Sequence, residues 1–446
     1  MDRRKFLGLM AASGLGLASL PIMARADDDE GSATPRLFPV PTNTGLHGHI
    51  VVVGGGMAGA AVTKYLRLWG GTGVNVTLIE KSPVYTSNIL SNTVLTGQRT
   101  LTSLNYAYDV LEDHYGVMRR QGEVVDVDPA ARRVYLADGG NYPYDRLVLA
   151  PGLDFDLLPG MTSLTEYDTR IPHAWKAGPQ TQLLREQLMA LVPGQPVVMT
   201  LPLAPYRCPP GPYERACVIA DWLKVNKPGS KVIVLDANAS ILVEPENFAH
   251  AFNVTHAGVV DYRPGSTVTD IDSAALTLSY TRNGVADSLT AGVINPIPPQ
   301  RAPQLLADLG LCNSANGRFA RVDVRSYEST AQAGIHVIGD ASDTPQPKAG
   351  HIGNQQGKTC ADAILRALAG QGPDPSPVTN SACYTPITAT TATWLSAVYQ
   401  YDAASGKMVI PAQHNGGKPI SASAATSGNY RDMLRWFDTL MGDTFS

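Results

Sequence analysis

After residue 23 the chain has no apolar run that reaches the roughly 18 residues of a membrane span. Charge is also scarce. Charged residues make up 17% of the 446 and sum to a net −4, so the basic footprint of a nucleic-acid binder is missing. No Cys-x-x-Cys-His occurs, which excludes a haem attached to this chain. The nine histidines are scattered and form no metal-ligating cluster with the cysteines, so no metal is expected. Five cysteines leave at least one unpaired whatever the pairing. What is present is apolar bulk: 44% hydrophobic residues fill several cores, and the length suits about three domains of ~150 residues. With 42 Gly and 33 Pro, a loop-rich α/β or mixed protein is expected.

The first residues read as an address. Arg3-Arg4-Lys5-Phe6-Leu7 opens a weakly apolar stretch to Met23, and Ala24-Arg25-Ala26 offers small residues for cleavage before Asp27. This is the pattern of a twin-arginine signal over 1–26, with Asp2 where Ser or Thr is commoner. Such export carries folded, cofactor-loaded proteins, so a mature chain in the periplasm, where disulfides persist, is expected. Residues 27–46 read as a flexible leader.

His49-Ile-Val-Val-Val53 has the composition of a buried parallel strand. Gly54-Gly55-Gly56-Met57-Ala58-Gly59 follows and fits G-x-G-x-x-G; a helix over 60–69 and a strand over 74–79 come next. Glu80 ends that strand 24 residues after Gly56, with Lys81 beside it. The context is the βαβ dinucleotide fingerprint, in which Gly54, Gly56 and Gly59 permit the tight turn and close approach of a pyrophosphate, and the acid takes ribose hydroxyls. Two later segments point to FAD. Tyr144 to Gly152, ending Ala150-Pro151-Gly152, matches the strand and turn that leave a flavin domain. Gly334 to Ala341 brings Gly339 and Asp340 toward a ribityl chain, and Lys348-Ala349-Gly350 then opens a helix whose N-terminus suits the anionic edge of reduced flavin.

A second nucleotide loop would follow the strand Val197–Leu201. The sequence there is Pro205-Tyr-Arg-Cys-Pro-Pro-Gly-Pro-Tyr-Glu-Arg215, with a helix expected from Arg215 to Lys224. Prolines remove amide donors and fix φ, so this loop cannot wrap a pyrophosphate. It presents Cys208 instead, beside an arginine that suits an electropositive, reactive sulfur.

With these pieces the chain resembles the flavoprotein subunit of flavocytochrome c sulfide dehydrogenase, within the wider sulfide:quinone oxidoreductase and disulfide-reductase superfamily. The resemblance runs from about Gly48 to Ser446. It rests on Pro172 to Gly178, Tyr206 to Arg215, Ile297 to Arg301, Ile335 to Ala341, Ala382-Cys383-Tyr384 and Gly442 to Phe445. It implies an α/β fold with two Rossmann-like nucleotide-binding domains. The FAD domain is discontinuous over 47–160 and 303–372. An NAD-like second domain without its Gly-rich loop is inserted at 161–302, and a small C-terminal α+β domain over 373–446 delivers Cys383.

The resemblance further implies that Cys208 and Cys383 form a redox-active disulfide over the flavin. Hydrosulfide would attack it by thiol–disulfide exchange, leaving a persulfide on one sulfur and a thiolate on the other, from which two electrons pass to FAD. The assignment of the two sulfurs stays open, and a merely structural disulfide is the alternative. Glu214 is a candidate acid/base and equally an ordinary helix N-terminal acid. Cys217 and Cys360 lie among apolar neighbours and read as core; Cys312 is assigned no role.

One stretch departs from the family. Its members attach FAD through a cysteine in Tyr-Thr-Cys shortly before Leu-Ser-Asn, whereas this chain has Tyr85-Thr-Ser-Asn-Ile-Leu-Ser-Asn92. Neither Ser87 nor Asn88 forms a thioether, so non-covalent FAD is expected. The expected electron acceptor is a c-type cytochrome, as a separate subunit or a soluble protein. A quinone is the rival, and its membrane-docking segment would have to be Tyr430 to Met441; that apolar face is expected to pack against core or partner rather than a membrane. A different small thiol or persulfide donor, and a flavin-binding accessory subunit without turnover of its own, are the remaining alternatives.

Overall fold

Ile50, Val51 and Val52 are all fully buried, because the strand Gly48–Val53 lies inside a parallel array covered on both faces. This computed structural model describes residues 37–446; the expected signal at 1–26 and the start of the leader lie outside the described residues. Across the main sheet the order is Ser342–Asp343, Ala320–Asp323, Glu328–Ser329, Ile335–Val337, Arg146–Leu149, Gly48–Val53, Val74–Glu80, Met118–Gln121. The last five of these run parallel. One sheet is thus assembled from two separate stretches of chain. Both crossings between the stretches pair with each other, Asp154 opposite Arg301 and Phe155 opposite Gln300.

A second parallel sheet orders Val260–Pro264, Val232–Asp236, Val197–Leu201 and Val293–Pro296. The helix Gly211–Asn226 covers it. That helix begins four residues before the expected start at Arg215, since Pro212 fits the first turn, where its fixed φ and missing N–H do no harm. Beyond residue 372 the chain forms the antiparallel hairpin Val378–Pro386 with Ala392–Asp402, joined by short strands at Lys407–Val409 and Ile420–Ser421, then the helix Ser427–Phe445.

The closing helix is capped by the Thr426 hydroxyl, which accepts from the Asn429 N–H at 3.1 Å. Its Met433, Phe437, Leu440, Met441 and Phe445 are buried in the flavin-side core. The amphipathic face is therefore occupied within the fold and is not a free docking face. Among the described residues no helix is long and apolar enough to cross a membrane. Asp443 fixes the end of this helix through the Tyr65 hydroxyl (2.5 Å), the Asn354 amide (2.8 Å) and Lys358 (2.7 Å).

Helices Met57–Gly70 and Gly350–Leu368 pack closely because glycine stands where they touch. A Cβ on Gly357 would lie 2.7 Å from the Ala58 carbonyl oxygen and 2.9 Å from the Val62 nitrogen. Gly357→Val is expected to push the helices apart and destabilise the protein by about 1–3 kcal/mol. A lower denaturant midpoint with faster loss of bound flavin would be the observed result.

Candidate functional site

Both of those helices begin at one long cavity, so two positive helix ends face it. Gly54, Gly56, Met57, Ala58 and Glu80 line it at one end. Ala150, Pro151, Gly152, Gly339, Asp340 and Gly350 line it too. Cys208, Glu214 and Cys383 line it as well. Gly59 serves from below: a Cβ there would stand 1.7 Å from the Gly54 carbonyl oxygen. Besides Gly59, two expected cofactor residues, Lys81 and Lys348, do not line the cavity. Lys81 pairs with Glu123 at the surface (3.4 Å). The Lys348 amine donates to the carbonyls of Asp340 (2.7 Å) and Ser342 (2.8 Å) above the Phe319 ring, and burial lowers its pKa to about 8. Lys348 thus braces the site from behind, and its own carbonyl accepts from the Cys208 N–H at 2.7 Å.

The cavity fits FAD. Gly54 has φ +97°, and a Cβ there would be 2.3 Å from the Ala150 carbonyl oxygen, so only glycine makes this turn. A Cβ on Gly56 would meet nothing nearer than Tyr85 at 3.8 Å, leaving bare backbone toward the cavity. Glu80 is pre-aimed, its carboxylate accepting from the Gly55 N–H (2.7 Å) and the Ser82 N–H (2.8 Å). Ser87 is fully buried, donates to the Ile89 carbonyl (3.1 Å) and does not line the cavity; Tyr85, Thr86 and Asn88 do.

The second nucleotide position is filled by the protein itself. Asp236 ends its strand where a second Rossmann half would offer an acid to ribose. It is fully buried and accepts from the hydroxyls of Tyr213 (2.8 Å) and Tyr262 (2.9 Å) and the Asn238 N–H (2.9 Å).

Cys208 and Cys383 are free thiols in this structure, both open to the cavity. Cys208 holds φ +56°, a conformation rarely adopted without function or compensation. The electropositive setting expected for Cys208 is not what surrounds it. Burial, then Cys383 and Glu214, push its thiol well above the ordinary range, and Arg207 opposes them only in part. Burial, with Glu244 and Glu214, takes the Cys383 thiol up to about 12. As two separate thiols the pair is poorly ionised, and a reactive thiolate here needs help with its proton. Cys217 and Cys360 are fully buried in apolar clusters, and Cys312 packs at the edge of another.

Glu214 is buried yet reaches the cavity, and burial raises its pKa to about 7. The Asn92 amide donates to it at 2.8 Å, and the Asn92 carbonyl accepts from Arg215 Nε at 2.8 Å. Arg215 also donates to the carbonyls of His173 and Ala174 (2.7 Å each) and to Asn295 (3.0 Å). Asn92 and Arg215 escape a reading of the sequence, since no local motif joins positions that meet across three segments. Trp436, on the closing helix, also lines the cavity, 5.4 Å from the Tyr384 ring.

Three family models match in succession. Pyridine nucleotide-disulphide oxidoreductase covers 48–188. The central domain of the sulfide dehydrogenase [flavocytochrome c] flavoprotein chain covers 181–298, and the flavocytochrome c sulphide dehydrogenase flavin-binding domain covers 375–445. Two of the three matched domains, at 181–298 and 375–445, are those of a flavocytochrome c sulfide dehydrogenase flavoprotein chain, and the chain is similar to that family there. Its cofactor is FAD. The sulfide:quinone oxidoreductase of Aquifex aeolicus has the same fold, with TM-score 0.73 and 16% identity over 89% of this chain and 91% of that one. NDH2 of Plasmodium falciparum, solved with NADH, has TM-score 0.65 and 11% identity over 89% and 96%. Ferroptosis suppressor protein 1 of Taeniopygia guttata is 34% identical over 107 residues, which is 24% of this chain and 26% of that protein.

Because the fold favours protonated Glu214, its contribution to stability is present below about pH 4.5 and lost as pH rises through about 7. Glu214→Gln should flatten the pH dependence of the unfolding free energy in that window by on the order of 3 kcal/mol. Denaturant melts at several pH values measure it.

Proposed function

We propose that this protein is a periplasmic FAD-dependent sulfide dehydrogenase flavoprotein. It oxidises sulfide to sulfur or polysulfide through a redox-active Cys208–Cys383 disulfide and hands electrons to a c-type cytochrome. The observation that carries the reading is the convergence of both cysteines and Glu214 on the FAD cavity. Bound FAD supplies the two-electron acceptor.

In this reading hydrosulfide enters the cavity and attacks the sulfur of Cys208. A sulfur–sulfur bond forms there, the Cys208–Cys383 bond breaks, and Cys383 leaves as a thiolate carrying the electron pair that is passed on. Glu214, at about 7, is poised to take the proton from an incoming hydrogen sulfide, so that hydrosulfide attacks and Cys383 leaves as the unprotonated thiolate. Asn92 keeps that carboxyl aimed, and Arg215 keeps Asn92 aimed. The filled site at Asp236 disfavours NAD(P)H as partner, and the buried face of the closing helix disfavours docking to a membrane quinone. Both favour a cytochrome, while a sulfide:quinone-type acceptor and an accessory subunit without turnover remain the alternatives to defeat. FAD is held without a covalent bond, since Ser87 faces away from the cavity and has no thiol.

Anaerobic mixing of the purified protein with sulfide should bleach the flavin spectrum, and Cys208→Ser should abolish the bleaching. An intact, FAD-loaded parent that does not bleach overturns sulfide as the donor. Acid precipitation should leave the yellow colour in the supernatant; colour retained on the polypeptide contradicts non-covalent binding.

A further inference from the structure

Glu244 is a buried carboxylate that none of the chemistry above employs. It is 4% exposed and sits at φ +49°, ψ 46°, the left-handed region that a side chain of this kind seldom adopts. One carboxylate oxygen, Oε1, accepts from the Thr393 hydroxyl at 2.7 Å and from the Asn247 amide at 3.2 Å. The other, Oε2, is buried with no hydrogen-bond partner among the described residues. An orphaned, buried carboxylate oxygen costs stability and calls for a reason.

Its position supplies one. Thr393 lies on the strand Ala392–Asp402, which pairs with the strand carrying Cys383; Cys383 stands opposite Leu395, two residues along from Thr393. Asn247 also donates to the Ala422 carbonyl (3.0 Å), so Glu244 is tied from the second domain to the hairpin that delivers Cys383. After burial, Glu244 is the strongest influence on the Cys383 thiol, ahead of Glu214. Thr393 and Cys383 share one face of the hairpin, so Glu244 is anchored to that face next to the cysteine's position.

We propose that Glu244 is a positioning residue of the cysteine site, a second acid whose charge faces Cys383 while Glu214 serves from the helix that follows Cys208. This rests on the reading of Cys383 as a reactive sulfur. Burial raises Glu244 above the usual carboxylate range, and the bonds from Thr393 and Asn247 oppose the rise only in part. Neutral, Glu244 tolerates a thiolate at Cys383; ionised, it repels one. The other groups facing this region are Glu214, Arg215, Cys208 and Arg207 from the helix and its leading loop, Tyr399 from the neighbouring strand, and His351, which accepts from the Ala382 N–H. Among the described residues no hydrogen bond or ion pair links a cation to Glu244.

The test needs no sulfide, so its failure and the failure of sulfide oxidation are separate results. The full-length, FAD-loaded protein is reduced, freed of reductant under anaerobic conditions and alkylated with iodoacetamide over a range of pH. Peptide mass spectrometry follows Cys383 and Cys208 separately. Glu244→Gln removes the charge and keeps the shape, and should speed alkylation of Cys383 at least about fivefold at alkaline pH, with a smaller change at Cys208. Thr393→Val removes the bond that favours the ionised carboxyl. It should extend the fast regime of Cys383 to higher pH while leaving the alkaline limit near that of the parent. A Cys383 rate unchanged in Glu244→Gln, or raised equally at both cysteines, overturns the proposal. If Glu244→Gln does not accumulate as loaded protein, Thr393→Val decides alone: an unmoved Cys383 profile is then the overturning result.

Discussion

The reactive end of the cavity is held by a buried cation that has no carboxylate bonded to it. Arg215 is 2% exposed, and its hydrogen bonds go to neutral oxygens of His173, Ala174, Asn92 and Asn295. Burial lowers its pKa to about 9, with the neighbouring Glu214 opposing the fall, and these oxygens replace the water the guanidinium has lost. They come from three parts of the chain: Asn92 from the flavin domain, His173 and Ala174 from one segment of the second domain, and Asn295 from the second sheet. Loss of any one would leave a buried charge short of a partner, which is a steeper cost than loss of an ordinary contact. The neighbouring residue in the same helix is Glu214, so whatever locks Arg215 also fixes the direction of the acid and the base of the Cys208 loop. The Trp175 ring, 4.7 Å from the guanidinium, closes the arrangement from the side.

Electrostatics around the two thiols run against a simple view of cysteine activation. Depressed thiol pKa values come from cations and helix ends, and here burial and neighbouring acids dominate. Such surroundings disfavour a resting dithiolate. A thiolate formed at either position is stabilised when a nearby carboxyl holds a proton. The strained φ at Cys208 and the bracing carbonyl of Lys348 are consistent with a sulfur whose place is fixed by backbone rather than by side-chain contacts.

The α/β architecture was legible because its signals are local. Val51 to Gly59 and Glu80 carry strand, turn, helix and acid in one short span, and parallel burial writes itself as an unbroken apolar run. The start of the helix at Gly211 was less so, because prolines signal both a loop and a first turn, and only tertiary packing chooses between them. Lys348 illustrates a different failure. Its place in sequence suggested a cofactor contact, but which way a long side chain points depends on Phe319 and the carbonyls of Asp340 and Ser342, none of which periodicity reveals. Asn92, Arg215 and Glu244 were invisible for the same reason: the partners that decide their roles, Glu214, Asn295 and Thr393 among them, lie on segments whose proximity is created by the fold.

The wall contributed by Trp436 and the stack of Phe445 on Tyr85, with ring centroids 5.1 Å apart, set a timetable for synthesis. The nucleotide fingerprint leaves the ribosome hundreds of residues before the helix that closes the cavity against it. A nascent chain that has displayed everything up to the Cys383 hairpin still has an open trough, with Tyr85 bare to solvent. Closure of the cavity thus waits for the helix Ser427–Phe445, and a chain stalled or cleaved before it would carry the recognition sequence without that wall.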